Sequence, residues 1–305
     1  MIDRNLVAIE PKSFVEYETA VAGAGAQVAE LDANVGALIW TDYSQPAALA
    51  NLLAENPQLE WVQLPFAGVD AFASVLQNPV VFTSAKGAYR EPVAEHALAL
   101  CLALARKLPE RVVAKSWGKK FAVSLYDSHV LIVGGGGIAE ELVSLLAPFK
   151  CRVTVVRKHT ADIEGVTETV GFDRLDEFLP QADFIVLAAA LTSETLYLFD
   201  ARRFSLMKPS AYLVNVARGK MIDSGALMDA LRNETIAGAA VDVTDPEPVP
   251  DGHALWTTPN LLITPHTADT NAQVVRLFSQ RIDANVRAWL TGSDWVGRVD
   301  PQLGY

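Results

Sequence analysis

The run LIVGGGGIAEEL places Gly134, Gly136 and Ala139 in the G-x-G-x-x-G/A spacing, directly after a strand-like segment and directly before a helix-like one. Each position has a physical reason. Gly134 permits a tight turn, Gly136 lets the backbone approach a pyrophosphate, and Ala139 is small enough for the helix to pack close to the strand. An anion would then rest on free N–H groups of the first helical turn, where the helix dipole favours negative charge. Gly134, Gly136, Gly137 and Ile138 are the candidate dinucleotide ligands; a glycine-rich turn without a ligand is the weaker reading, because strand, motif and helix occur together. Twenty-one residues after Gly136, where a carboxylate would accept from ribose hydroxyls, stands Arg157, followed by Lys158, His159 and Thr160. Cationic donors suit a ribose 2′-phosphate, so Arg157, Lys158 and Thr160 point to NADP(H) as the preferred cofactor, with NAD(H) possible. The competing account is a basic strand end that meets only solvent.

The elements that must position these groups alternate between short β-type runs and helix-type segments, the pattern of parallel sheets covered by helices. The first third reads as LVAIE, AQVAEL, GALIW, LEWVQLP and VVFTSA, with helical segments between them. A helical stretch from Pro92 to Trp117 reads as a connector. After it come six strands in doubly wound order: HVLIV, CRVTVV, DFIVLAAA, AYLVNV, AGAAVDV and LLIT. A last amphipathic helix, NAQVVRLFSQRIDANVRAWLTG, returns the chain toward the first lobe. The expectation is an α/β protein of two doubly wound parallel-sheet lobes. A smaller flavodoxin-like substrate domain covers 1–92 and is completed by 279–305, and a Rossmann cofactor domain covers 93–278.

With 305 residues, half of them hydrophobic, the chain can bury two cores. A net charge of −11 argues against nucleic acid or an anionic membrane as partner and leaves small molecules. Cys101 and Cys151, both in apolar runs, read as reduced, buried thiols. The N-terminus lacks the apolar core of a signal peptide, and a cytoplasmic protein is expected.

Three further segments, NVARGKMID, VDVTDPEPVP and LLITPHTAD, together with PFAGVDAF, PVAEHALALCLALARKLP and the terminal VDPQLGY, make the chain resemble the D-isomer-specific 2-hydroxyacid dehydrogenases along nearly its whole length. Within that family it looks similar to the glyoxylate and hydroxypyruvate reductases. The resemblance implies Arg218 as the substrate arginine, Glu247 as the acid partner and His266 as the catalytic histidine. It also implies Asp242 against the nicotinamide carboxamide, Ala217 beside the cofactor, and backbone N–H groups of Ala67, Gly68 and Val69 on the substrate carboxylate. These roles make chemical sense: histidine can protonate a carbonyl oxygen near neutral pH, a carboxylate orients it, and a guanidinium grips a 2-oxoacid. The implied reaction is NADPH-preferring reduction of a small 2-oxoacid to the D-2-hydroxyacid, with no metal, by a homodimer formed through the cofactor lobe. A short-form phosphoglycerate dehydrogenase and a dinucleotide-sensing corepressor are the alternatives. His96 reads as a helix-face packing residue, His129 as a strand-edge residue, His253 as a loop residue and Trp117 as a packing residue that could serve a subunit contact. Ala190 and Asp269 depart from the family's usual Pro and Gly.

Overall fold

A computed structural model describes residues 2–158 and 160–301, so His159 and the last residues of the terminal VDPQLGY lie outside the described residues. The chain divides into two compact units, Met1–Tyr89 with Thr270–Tyr305, and Arg90–Asp269.

In the first unit, β1 (Leu6–Glu10), α1 (Val15–Ala24), β2 (Gln27–Val28), β3 (Ala37–Trp40), α2 (Pro46–Glu55), β4 (Trp61–Gln63) and β5 (Val81–Thr83) build a sheet in the order β2-β1-β3-β4-β5. All its pairings are parallel. This is the flavodoxin-like strand order.

The second unit contains α3 (Arg90–Ala105), α4 (Leu108–Val113), β6 (His129–Val133), α5 (Gly137–Leu146), β7 (Arg152–Val156), β8 (Glu168–Val170), α6 (Leu175–Phe178), β9 (Phe184–Leu187), α7 (Ala201–Leu206), β10 (Tyr212–Asn215), α8 (Ser224–Arg232), β11 (Gly238–Val241) and β12 (Leu261–Ile263). Its sheet order is β12-β11-β10-β9-β6-β7-β8. The order reverses beside β6, and such a switch point opens a crevice at the carboxyl ends of the strands. Along β6 the period of two sends Leu131 and Val133 into one buried cluster and Val130 and Ile132 into the other, so both faces of this central strand are apolar.

α9 (Asn271–Thr291) belongs to the first unit from its start. A capping box of Thr270 and Gln273 begins it and Gly292, at φ 72°, ends it. Its buried Asn285 gives its amide to Gln63 Oε1 at 2.6 Å, and Gln63 also accepts from the Thr83 hydroxyl, so the polar groups between α9 and the sheet are satisfied.

Four local expectations are corrected. The sheet of the second unit has seven strands: the three-residue β8 buries only Val170, too little pattern to be read as a strand. The helix expected to run from Pro92 to Trp117 stops at Ala105. Lys107 turns at φ 55°, Pro109 has no N–H to offer the preceding turn, and the freed Ala105 carbonyl accepts from the N–H of Val123. His129 opens a central strand and is buried, its Nδ1 accepting from Arg152 Nη2 at 2.7 Å; burial, and then the Arg152 charge, lower its pKa below that of a free imidazole. Cys151 is only half-buried, with its thiol on the Leu125 carbonyl. Among the described residues, no helix is long and apolar enough to cross a membrane.

Candidate active site

At the carboxyl end of β6, Gly134 has φ 120° and its N–H donates to the Val156 carbonyl at 2.8 Å. A Cβ there would overlap the Ala188 carbonyl, so the turn demands glycine both for its backbone angle and for the approach of the chain after β9. The next positions differ in kind. A Cβ on Gly135 would strike the Arg157 side chain, whereas one on Gly136 would meet nothing within 4 Å. No side chain caps α5, whose N-cap is Gly136, and Ala139 is fully buried beneath it. An open glycine before an uncapped helix start fits a pyrophosphate, which Gly136, Gly137 and Ile138 would hold through backbone N–H groups.

The end of β7 carries the basic pair. The Arg157 N–H donates to Val170 at 2.9 Å, and no hydrogen bond or ion pair holds its guanidinium among the described residues. Lys158 Nζ stands 3.9 Å from Glu194 with both side chains exposed, and Thr160 is exposed beside it.

Around the ends of β10, β11 and β12 the remaining candidates of this unit converge. Asn215, the fully buried last residue of β10, accepts from the Ala217 N–H at 3.0 Å and donates to the Arg218 carbonyl at 3.0 Å, fixing the turn that bears Arg218. A Cβ on the following Gly219 would overlap the Thr244 carbonyl, so this turn packs directly on the loop that carries Glu247. Glu247 Oε2 accepts the Thr244 N–H at 3.2 Å, and Glu247 Oε1 meets His266 Nδ1 at 2.6 Å. His266 has φ 52°, rare for a residue with a side chain, and is held there by its N–H on the Asp242 carbonyl at 2.8 Å.

The electrostatics follow from these contacts. The hydrogen bond to Glu247 raises the His266 pKa above its ordinary 6.5, against the opposing effect of burial. Glu247 goes the other way: burial would raise its carboxyl, but the bond from His266 and that residue's charge lower it. Asp269 is raised, first by burial and further by the charge of Asp242. An imidazolium braced at Nδ1 keeps Nε2 for exchanging a proton with an oxygen, the arrangement general acid catalysis needs.

In the first unit, Ala67 and Gly68 lie in the turn after β4, with Val69 buried behind them. No acceptor takes the N–H of Ala67, Gly68 or Val69 among the described residues. Three unpaired N–H groups in succession suit a carboxylate.

Reading the sequence missed His96, which lies on α3 with Nε2 3.2 Å from Asp242 Oδ1 and 3.0 Å from Thr264 Oγ1. Thr264, two residues before His266, was also missed; its hydroxyl donates to Asp242 at 2.6 Å. The only signal in the sequence is a hydroxyl residue at a strand end and a histidine beside the apolar stripe of a helix. Glu95 is exposed on α3, and His253 caps the short 3-10 turn Ala254–Thr257. Trp117 does not pack: it is 96% exposed. Among the described residues, no group of three or more His, Cys, Asp and Glu could hold a metal ion.

Comparison with known proteins identifies the family. The profile of the D-isomer specific 2-hydroxyacid dehydrogenase NAD binding domain matches residues 98–268. The chain is 34% identical over 233 residues to a glyoxylate reductase of Pyrococcus furiosus, covering 72% of this chain and 66% of that one. A D-isomer specific 2-hydroxyacid dehydrogenase of Xanthobacter autotrophicus, solved with NADPH and MES, superposes with a TM-score of 0.85 at 27% identity, covering 98% of this chain and 99% of the other. An NADPH-dependent glyoxylate/hydroxypyruvate reductase of Sinorhizobium meliloti, solved with NADP and sulfate, gives 0.82 at 25% identity, covering 98% and 99%. The chain belongs to the D-isomer specific 2-hydroxyacid dehydrogenases, NAD(P)-dependent oxidoreductases, and residues 98–268 are its NAD binding domain.

Proposed function

We propose that this protein reduces a small 2-oxoacid of the glyoxylate or hydroxypyruvate type to the D-2-hydroxyacid, preferring NADPH, as a cytoplasmic homodimer. The observation that carries this reading is the 2.6 Å contact between His266 Nδ1 and Glu247 Oε1 on loops braced against the Arg218 turn. The dinucleotide, when bound, supplies the hydride. His266 Nε2 gives a proton to the carbonyl oxygen as negative charge develops there, and Glu247 keeps the imidazole charged and oriented. Arg218 grips the 2-oxoacid carboxylate and polarises the carbonyl, and its charge already acts on both His266 and Glu247. The free N–H groups of Ala67, Gly68 and Val69 are the proposed carboxylate ligands of the first unit. Gly134, Gly136, Gly137, Ile138, Ala217 and Asp242 hold the dinucleotide, and Arg157, Lys158 and Thr160 its 2′-phosphate. The glyoxylate and hydroxypyruvate names of the relatives from Pyrococcus and Sinorhizobium support the substrate class.

The test is a panel of glyoxylate, hydroxypyruvate, pyruvate, phenylpyruvate and 3-phosphohydroxypyruvate with each reduced cofactor. Turnover of the first two above the rest upholds the proposal, and a clear preference for 3-phosphohydroxypyruvate overturns the substrate class. Arg218→Lys is expected to lower kcat/KM for the preferred acid about tenfold, because an ammonium keeps the charge but loses one of the paired bonds, each worth roughly 1.5 kcal/mol or more. Unchanged kinetics would remove Arg218 from the carboxylate.

The homodimer reading rests on the segment after α3, where Val112, Val113, Trp117, Phe121 and Tyr126 are all exposed large apolar residues. Sedimentation velocity is expected to show a two-chain species that Trp117→Lys with Val112→Lys converts to monomer. A wild-type monomer at micromolar concentration would refute it.

A further inference from the structure

Asp242, directly after β11, is 2% exposed, and its carboxylate accepts hydrogen bonds from Thr264, Thr267 and Ala268. Its Oδ1 accepts from Thr264 Oγ1 at 2.6 Å and from the Thr267 N–H at 2.9 Å, and stands 3.2 Å from His96 Nε2. Among the described residues, its Oδ2 accepts only the Ala268 N–H, at 3.1 Å. A carboxylate has about four acceptor positions, two on each oxygen, so the spare capacity lies on Oδ2.

The hydroxyl of Thr264 fixes the direction of the His96 bond. Thr264 spends its only hydrogen on Asp242, so at 3.0 Å its oxygen can only accept from His96 Nε2. His96 is therefore a donor at Nε2, shared between Thr264 and Asp242. Burial would raise the Asp242 carboxyl, but His96, Thr264 and Thr267 together hold it below the usual range.

Packing does not explain a histidine at this place. α3 buries Ala94, Ala97, Cys101 and Leu104 along one stripe, and the partly exposed His96 lies beside it. An apolar residue would cover the same ground. The polar ring is accounted for by the buried carboxylate.

We infer that His96 is a positioning residue for the cofactor's nicotinamide carboxamide: standing against both Thr264 and Oδ1 of Asp242, it holds the carboxylate in place so that Oδ2 faces the amide N–H. The inference rests on the proposed contact of Asp242 with that amide. His96 touches neither substrate nor cofactor and acts through Asp242 and Thr264.

The experiment compares calorimetric binding of the preferred oxidised dinucleotide with binding of its 3-acetylpyridine analogue, whose methyl ketone has no N–H to give. His96→Leu, which keeps helix and volume, is expected to weaken the carboxamide cofactor about tenfold, the worth of one bond to a charged group, and to leave the analogue unchanged. His96→Gln, which keeps a donor, should restore the difference between the two ligands. If His96→Leu does not fold, His96→Asn, too short to reach Asp242, carries the same comparison. Equal losses for both ligands, or no loss for either, would overturn the inference, because a merely structural residue cannot sense the missing amide. Asp242→Asn separates the two layers of the argument. If it leaves the preference for the carboxamide untouched, the proposed contact of Asp242 fails. If it abolishes that preference while His96→Leu does not, the contact stands and the role of His96 falls.

Discussion

Replacing His266 by alanine is expected to slow 2-oxoacid reduction by about 10²–10⁴-fold, the usual contribution of a positioned general acid, while dinucleotide binding is retained. The split follows from the architecture. The phosphate cradle is built on β6 and α5, whereas His266 is placed by the loop after β12. Single-turnover reduction and cofactor titration measure the two effects separately, and a loss of less than about tenfold in rate would remove His266 from the role. The pH profile gives a second reading with a definite sign. Reduction needs the imidazolium, whose pKa is raised above 6.5 chiefly by the bond to Glu247. The rate should therefore be full below pH 6.5 and lost as the pH rises through the raised value. Glu247→Gln removes the main cause of that shift, so the falling limb is expected to move to lower pH; a limb that stays in place would mean another group titrates.

The same pair contributes to stability with opposite signs. His266, raised in the folded state, adds stability that is complete below its unfolded value and disappears as the pH rises through the folded one. Glu247, lowered in the folded state, adds stability present above its ordinary 4.5 and lost as the pH falls through its depressed value. Both side chains are about half exposed, so solvent screens the bond and its worth to folding is small. Its importance lies in fixing which nitrogen of His266 carries the working proton.

What could be read in the sequence was what local chemistry determines. The turn at Gly134 combines a strand, a glycine spacing and a helix within a dozen residues, and each part announces itself by periodicity or by the need for a missing side chain. Both strand orders grew from the same alternation. The break at Lys107 was misjudged because the apolar spacing of α3 continues through Leu104, while the competing signal was a single proline. β8 was invisible because three residues with one buried side chain carry no pattern. The approach of Glu247 to His266 came from resemblance to a family, since nothing in the spacing of 19 residues requires the two loops to meet. The bond from His96 to Thr264 joins positions 168 apart and had no local signal at all. Such pairs exist only because the parallel sheet brings its carboxyl ends together beside a helix that covers it.

Changing Arg157 to aspartate is expected to reverse the cofactor preference. Arg157 directly follows β7 with its stem against Gly135 and its guanidinium unpaired among the described residues, so a 2′-phosphate would meet a cation that has no competing carboxylate. Hydrogen bonds to charged groups are worth about 1.5–3 kcal/mol, so NADPH should bind roughly one to two powers of ten more weakly in the variant. NADH should bind as well as before or better, because the new carboxylate repels a phosphate and accepts from ribose hydroxyls. Arg157→Met provides the control for packing: it keeps the stem over Gly135, removes the charge, and should weaken NADPH without improving NADH. Fluorescence titration of both reduced cofactors against the three proteins decides the matter. A wild type that already prefers NADH, or an aspartate variant that loses both cofactors equally, would leave Arg157 and Lys158 as a solvated strand end.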